Sequence, residues 1–461
     1  MLESLRALLA RLAPGDRLPS SRELIERHRV SPVTVSRVIS QLAAEGVVVT
    51  RPGSGTYVAP RTRGGGSASD TGWQTIALSD RSIDLGPVTD ELGAVPPGTI
   101  LLDGGYLHRA LQPARALAAA LARAARRPDA WDRAPANGLA ALRAVFAAIP
   151  GGSVTPDDVL ITGGGQSALS MAFRALAAPE SPVLVESPTY PGALAAARAA
   201  GLRPVPVPMD ADGVRPDLLA EAFAMTGARL FYCQPTFHNP TGTVLSPERR
   251  EHVVAVARAA GAFVIEDDFA RHLGHGGHVP RPLAADDRDG TVVYLTSLTK
   301  PAAPSLRIGA LIARGPVLER LRAVRRVDDF FVARPMQEAA LELVSSPAWD
   351  RHLRTLSGSL RDRCAQLAAE VARHCPDWNI GLPPAGGLHL WIELPAGADA
   401  VAVSRAARGN HVAVSYGNRY FATETPTASL RLAFAATADL PELLEGVRRL
   451  GAVARGDTSA G

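Results

Sequence analysis

The stretch SLTKPAAPSLR, Ser297 to Arg307, decides the fold, because Lys300 at its centre is the only lysine in the 461-residue chain. All other members of the 49-strong Lys and Arg total are arginines. A guanidinium keeps its proton in a protein and cannot attack a carbonyl, whereas an amine with a lowered pKa can form a Schiff base. Around this stretch, short apolar runs alternate with helical patterns: VLIT (159–162), VLVES (183–187), RPVPVP (203–208), RLFYCQ (229–234), FVIED (263–267), VVYLT (292–296) and ALIA (310–313). That alternation predicts a doubly wound α/β sheet. Polar clusters follow five of the runs: Gly163 to Gln166, Pro188-Thr189-Tyr190, Asn239 to Gly242, Asp267-Asp268 and Ser297 to Lys300. Ligands of such sheets bind beyond the carboxyl ends of the strands, so the five clusters should meet in one crevice.

Those residue types together describe a site for pyridoxal 5'-phosphate. An aldehyde needs an amine, and Lys300 is the one side chain that can supply it. A pyridine nitrogen kept protonated needs a carboxylate, here Asp267. A dianionic phosphate suits backbone N–H groups at a helix N-terminus, from Gly165 and Gln166, with Ser297 and Arg307 adding charge-assisted bonds. Tyr190 can stack on the ring, and Asn239 can donate to its phenolic oxygen. Asp268 reads as a local cap. The same motifs, with HNPTG, EDDF and LRLAF in order, resemble the fold-type-I aminotransferases over roughly residues 83 to 452. By that resemblance Arg431 would hold a substrate α-carboxylate as a bidentate fork. From about residue 335, long amphipathic helices precede strands around GGLHLWIEL, VAVSYG and LRLAF, which predicts a smaller α+β domain over the crevice.

The N-terminal end is different in character. Residues 1–63 hold ten arginines against five acids, whereas the whole chain carries only +4, so a small basic module sits on a neutral body. Apolar spacing predicts a helix from Leu2 to about Leu12, a second after Ser20, and a third capped by Ser31 with Pro32 at its first position. EGVVVTRPGSGTYVAP then reads as two strands and a turn, completing a winged helix-turn-helix plan. PGDRLPSSREL, VSPVTVSRVISQLAAEGVV and RPGSGTYVA resemble the DNA-binding domain of the GntR family over residues 5 to 59. The resemblance implies that Ser20 and Arg22 touch phosphate or a base edge, that Thr34, Ser36 and Arg37 face the major groove, and that Arg51 and Gly53 belong to the wing.

The expected organisation is a winged helix in 1–60, a flexible linker in 61–82 where Gly and Ser dominate, and an aminotransferase-like domain in 83–456. Its large part runs from about 130 to 330 and its small part from about 335 to 456. The whole resembles the MocR subgroup of GntR regulators. That resemblance implies a head-to-tail homodimer, a double-stranded DNA operator, and the cofactor, alone or with an amino compound, as effector. Three scattered cysteines, no metal spacing and an N-terminus that is neither signal peptide nor membrane span suit a reducing cytoplasm.

Pro32 and Ser36 stand where many relatives carry base-reading polar or basic residues, and two positions of the aminotransferase-like part also depart from the family pattern. Phe269 stands where relatives carry a tyrosine two residues after the ring-binding aspartate, and Arg133 stands near the place of a tyrosine lent by the partner subunit. Both changes keep cofactor binding and weaken turnover. A regulator is therefore the preferred reading, with an aminotransferase acting on an amino acid and a 2-oxoacid as the alternative. A degenerate domain kept only for dimerisation is the third.

Overall fold

All seven apolar runs become strands of one sheet. The structure, a computed structural model, describes residues 1–9, 12, 15–51, 55–59, 71–77 and 96–456. The chain divides into two units, Met1–Ser82 and Ile83–Gly461.

In the first unit three helices, Leu2–Leu9, Ser21–His28 and Pro32–Ala44, precede a hairpin of β1 (Val48–Arg51) and β2 (Gly55–Val58). The helix starts are encoded locally. Ser20 Oγ accepts from Glu23 N–H at 3.3 Å while Glu23 Oε2 accepts from Ser20 N–H at 2.7 Å, a reciprocal cap. Ser31 Oγ accepts from Thr34 N–H at 3.2 Å, and Pro32 supplies a first residue that lacks an N–H to satisfy. Helices and hairpin then close on a core that includes Leu5, Leu24, Val35, Leu42, Val48 and Val58. Of the expected linker, residues 61–70 and 78–82 lie outside the described residues. Residues Gly72–Ala77 form a short helix that the Gly- and Ser-rich composition did not announce.

The second unit is built on β4 (Val159–Thr162), β5 (Pro182–Ser187), β6 (Arg203–Asp210), β7 (Gly213–Val214), β8 (Leu230–Cys233), β9 (Phe263–Asp267), β10 (Val292–Ser297) and β11 (Gly309–Ile312), after a short β3 (Ile100–Leu101). Their order is β4-β11-β10-β9-β8-β5-β6-β7. Pairing is parallel from β6 through β5, β8 and β9 to β10, whereas β11 is antiparallel to both β10 and β4. The reversal has a simple cause. Residues 298–308 are too few for the helical crossover that a parallel return demands. Alternate residues feed opposite faces: Val159, Ile161, Phe231, Val264 and Tyr294 join one core, while Leu160, Tyr232, Ile265, Val293 and Leu295 join the other. In β6, Pro204, Pro206 and Pro208 remove the N–H groups from one side, so over that stretch the strand bonds β5 alone, and only its end, Met209 and Asp210, pairs with β7.

A third core lies around β12 (His389–Glu393), β14 (Ser415–Tyr416) and β15 (Ser429–Ala433), covered by helices Pro347–His374, Ala400–Gly409 and Leu440–Ala454. The small and large parts exchange segments. Strand β3 pairs in parallel with β13 (Val412–Ala413), and Ile100 and Leu102 pack in the small core. Conversely the helix Arg334–Val344 sends Ala340 and Leu343 into the core of the large sheet, so it belongs there and not to the small part expected from about 335.

Candidate functional site

One cavity at the carboxyl ends of the central strands is lined by Gly165, Gln166, Tyr190, Asn239, Asp267, Ser297, Lys300 and Arg307, that is, by all the residues expected around the cofactor. Each arrives on a different piece of backbone. The turn after β4 needs Gly164, at φ +91° and with Arg307 Cζ only 2.9 Å from where a Cβ would stand. Only a glycine lets that guanidinium lie across the N-terminus of the helix Gly165–Leu176, where the first N–H groups have no intrahelical partner. Tyr190 precedes the helix Pro191–Ala199 and donates to Gln166 Oε1 at 3.1 Å, while Gln166 Nε2 donates to the Gly192 carbonyl at 2.9 Å. A Cβ on Gly192 would fall 2.3 Å from the Tyr190 ring, so the residue two after the tyrosine has to be glycine.

Asp267 ends β9 and is buried. Its Oδ2 accepts from Tyr232 Oη at 2.7 Å and Gln234 Nε2 at 3.2 Å. Its Oδ1 is buried and has no hydrogen-bond partner among the described residues. Burial pushes the Asp267 carboxyl up to about 6; the Tyr232 and Gln234 bonds favour the carboxylate, the Asp268 charge disfavours it and Lys300 favours it. An acceptor left open beside Lys300 fits a protonated ring nitrogen, the feature the expected cofactor requires. Asp268 points elsewhere, accepting from Tyr294 Oη at 2.7 Å and Arg271 Nε at 2.5 Å.

Lys300 Nζ donates to the Gly105 carbonyl at 2.6 Å and lies 3.9 Å from the centroid of the Tyr106 ring. Arg431, 1% exposed on β15, does not line the cavity directly. It stands immediately behind Asn239, donating to its Oδ1 at 3.1 Å and to the Asp103 carbonyl at 2.5 Å. Ser297 lines the cavity, but its hydroxyl already donates to Thr299 Oγ1 at 2.9 Å and accepts from Thr299 N–H at 3.1 Å. Its role is thus as much to fix the Lys300 loop as to meet a phosphate.

Five lining residues escaped the sequence reading as site residues: Tyr106, Leu169, Gln234, Thr299 and His389. Gln234 ties two expected ones together, accepting from Asn239 N–H at 3.1 Å while donating to Asp267. It closes the run RLFYCQ, so the rule that located Asp267 could have located it too. Phe269 also lines the cavity and brings no hydroxyl.

In the first unit Ser20, Arg22, Thr34, Ser36 and Arg37 are all exposed, while Val35 and Leu42, on the same helix as the last three, are buried. The Ser20 hydroxyl caps its own helix, and Arg22 lies 3.6 Å from Glu26 with its side chain 90% exposed. Arg51 is the last residue of β1, opposite Gly55. Gly53 lies outside the described residues.

Residues 101–450 match the aminotransferase class I and II family, and residues 3–58 match the bacterial regulatory proteins of the gntR family. The HTH-type pyridoxine biosynthesis transcriptional regulator PdxR of Corynebacterium glutamicum is 30% identical to the chain, over 89% of it and 86% of that protein. The probable rhizopine catabolism regulatory protein MocR of Rhizobium meliloti is 26% identical, over 98% and 92%. The chain belongs to the MocR subgroup of GntR regulators. As a MocR-type protein it is a transcriptional regulator in which a GntR winged helix and an aminotransferase-like unit share one polypeptide. The MocR-type second unit has the fold of the crystal structure of LysN, the α-aminoadipate aminotransferase of Thermus thermophilus complexed with N-(5'-phosphopyridoxyl)-L-leucine. The TM-score is 0.77 at 30% identity, covering 83% of this chain and 98% of that one. Among the described residues no helix is long and apolar enough to cross a membrane.

Proposed function

We propose that Lys300 holds pyridoxal 5'-phosphate in this cavity, and that an amino compound able to displace the lysine alters the affinity of the winged helix for its operator. The observation that carries this reading is Asp267 Oδ1, a buried acceptor with no partner among the described residues, in the same cavity as the chain's single lysine. When bound, the cofactor supplies an aldehyde that an amine can hold and a pyridinium ring that withdraws electrons.

The chain's residues do the rest. Asp267 keeps the ring nitrogen protonated, Tyr190 covers the ring face, and the Asn239 amide donates to the phenolic oxygen. Arg307 and the N–H groups of Gly165 and Gln166 receive the phosphate, with Arg133 of a second subunit as a further cation in a head-to-tail homodimer. Arg431, which stands behind Asn239, would receive the α-carboxylate of the effector by giving up its bond to Asn239 Oδ1. Lys300 Nζ would hold the cofactor's aldehyde, and as a free ammonium it donates to the Gly105 carbonyl. Phe269, without a hydroxyl, supports sensing over turnover, and cysteines that are all buried and unpaired suit a cytoplasmic protein.

Purified full-length protein should bind its own upstream DNA with an affinity that changes when pyridoxal 5'-phosphate and amines are added at constant salt. Lys300→Ala should abolish both borohydride trapping of the cofactor and that response. Equal DNA binding with and without cofactor and amines, together with a Lys300→Ala strain that regulates normally, would sink the proposal.

A further inference from the structure

His389 is 5% exposed and lines the cavity together with Lys300 and Asn239. Its Nε2 is buried with no hydrogen-bond partner among the described residues. The strand register sets where the ring stands. His389 pairs with Ala433 and Trp391 with Arg431, so His389 and Arg431 share one face of the β12–β15 pair as diagonal neighbours, roughly 7 Å apart. Side chains that leave one face of a strand pair at that spacing can close on one small ligand from two sides.

The state of the ring follows from its surroundings. Burial holds it well below the ordinary imidazole range, the charges of Arg431 and Lys300 push the same way, and a hydrogen bond to the Gly104 backbone opposes them. In the neutral imidazole, a proton on Nδ1 leaves Nε2 with a lone pair to accept with. A buried acceptor with no donor is costly, and a ligand that supplies the donor is favoured over one that does not. A carboxylate side chain has no proton to offer. A cationic donor meets the charges of Arg431 and Lys300 at close quarters. A hydroxyl satisfies Nε2 without either difficulty.

We propose that His389 selects the effector, its Nε2 accepting a hydrogen bond from the side-chain hydroxyl of an α-amino acid whose carboxylate lies at Arg431 and whose amine meets the cofactor at Lys300. This rests on the reading that the cavity holds the cofactor and takes an amino compound, and the test separates the two. In cofactor-loaded full-length protein, the fraction of Lys300 trapped by borohydride is measured by peptide mass while serine, O-methylserine or 2-aminobutyrate is titrated in. Serine should compete about tenfold better than 2-aminobutyrate, its near-isostere, the worth of one neutral hydrogen bond to a buried acceptor. O-Methylserine keeps the oxygen and loses the proton, so it should fall in with 2-aminobutyrate; this arm needs no variant. In His389→Phe the serine preference should shrink to less than about threefold, and His389→Gln, whose amide oxygen still accepts, should recover part of it. Equal competition by the three amino acids in the unmodified protein, or a serine preference that survives in His389→Phe, overturns the assignment while the trapped lysine leaves the cofactor reading intact. Absence of any trapped Lys300 overturns both.

Discussion

Replacing Asp267 by asparagine should make the empty protein more stable and the loaded protein weaker. Burial raises the Asp267 carboxyl from 3.8 to about 6. In the unfolded chain the group ionises near 3.8, so between pH 4 and 6 the folded state retains a proton that the unfolded state has lost. Stability contributed by this group is therefore complete at low pH, falls as pH rises through about 6, and is flat beyond. The shift of about two units corresponds to about 3 kcal/mol. Asparagine keeps the shape, and its amide oxygen can accept the Tyr232 and Gln234 bonds that now go to Oδ2. Cofactor-free Asp267→Asn should thus exceed the unmodified protein by about 3 kcal/mol at pH 8, with the gap closing near pH 4. Urea denaturation across this pH range reads the gap directly. Glu266, also raised by burial, is present in both proteins and cancels in the comparison. Adding cofactor at one hundred times its Kd should stabilise the unmodified protein by about 2.7 kcal/mol and the variant by much less, because a neutral amide does not hold a pyridinium. Two denaturation curves that run parallel from pH 4 to 8, or equal gains from cofactor, would refute the reasoning.

Two further outcomes follow from other parts of the chain. Gly138 has φ +96° and would place a Cβ 2.2 Å from Ile161 Cγ1, so Gly138→Ala should cost about 3 kcal/mol in chemical denaturation; a loss below about 1 kcal/mol would mean that β4 shifts freely there. Arg37→Ala should weaken binding to the natural operator by about 1–3 kcal/mol while leaving non-sequence-specific DNA binding largely intact, as fluorescence anisotropy at fixed salt would show; unchanged operator affinity would remove Arg37 from the groove.

The sheet and most of the cavity could be read from the chain because their signals are local. An apolar run followed by a polar cluster marks a strand and what stands at its end, and Ser20 and Ser31 announce their helices by the bonds they go on to make. What could not be read depends on which distant segment comes to lie alongside. Tyr106 reaches Lys300 from a stretch with no periodicity, carried there because β3 pairs with β13 more than three hundred residues further on. His389 is a polar residue in the middle of an apolar run, a signal that is visible but does not say which cavity the strand borders. The helix Arg334–Val344 has the amphipathic pattern of either part, and only packing decides that Ala340 and Leu343 serve the large sheet. The antiparallel β11 was implicit in the short 298–308 connection, which is the loop that carries Lys300.

The place of β11 in the sheet also sets a timetable for synthesis. Among the described residues strand β4 pairs with β11 alone, so the helix that begins at Gly165 has no finished sheet edge to rest on until residue 312 has left the ribosome. Gly309 closes the seam, packed between Thr296 and Gly164 with no room for a side chain. The winged helix has no such dependence, since its core draws on residues between Met1 and Val58. At about 5–20 residues per second, a nascent chain would present a folded winged helix for roughly ten seconds or more before the crevice around Lys300 is complete. For that interval each new copy would be a winged helix without its aminotransferase-like unit.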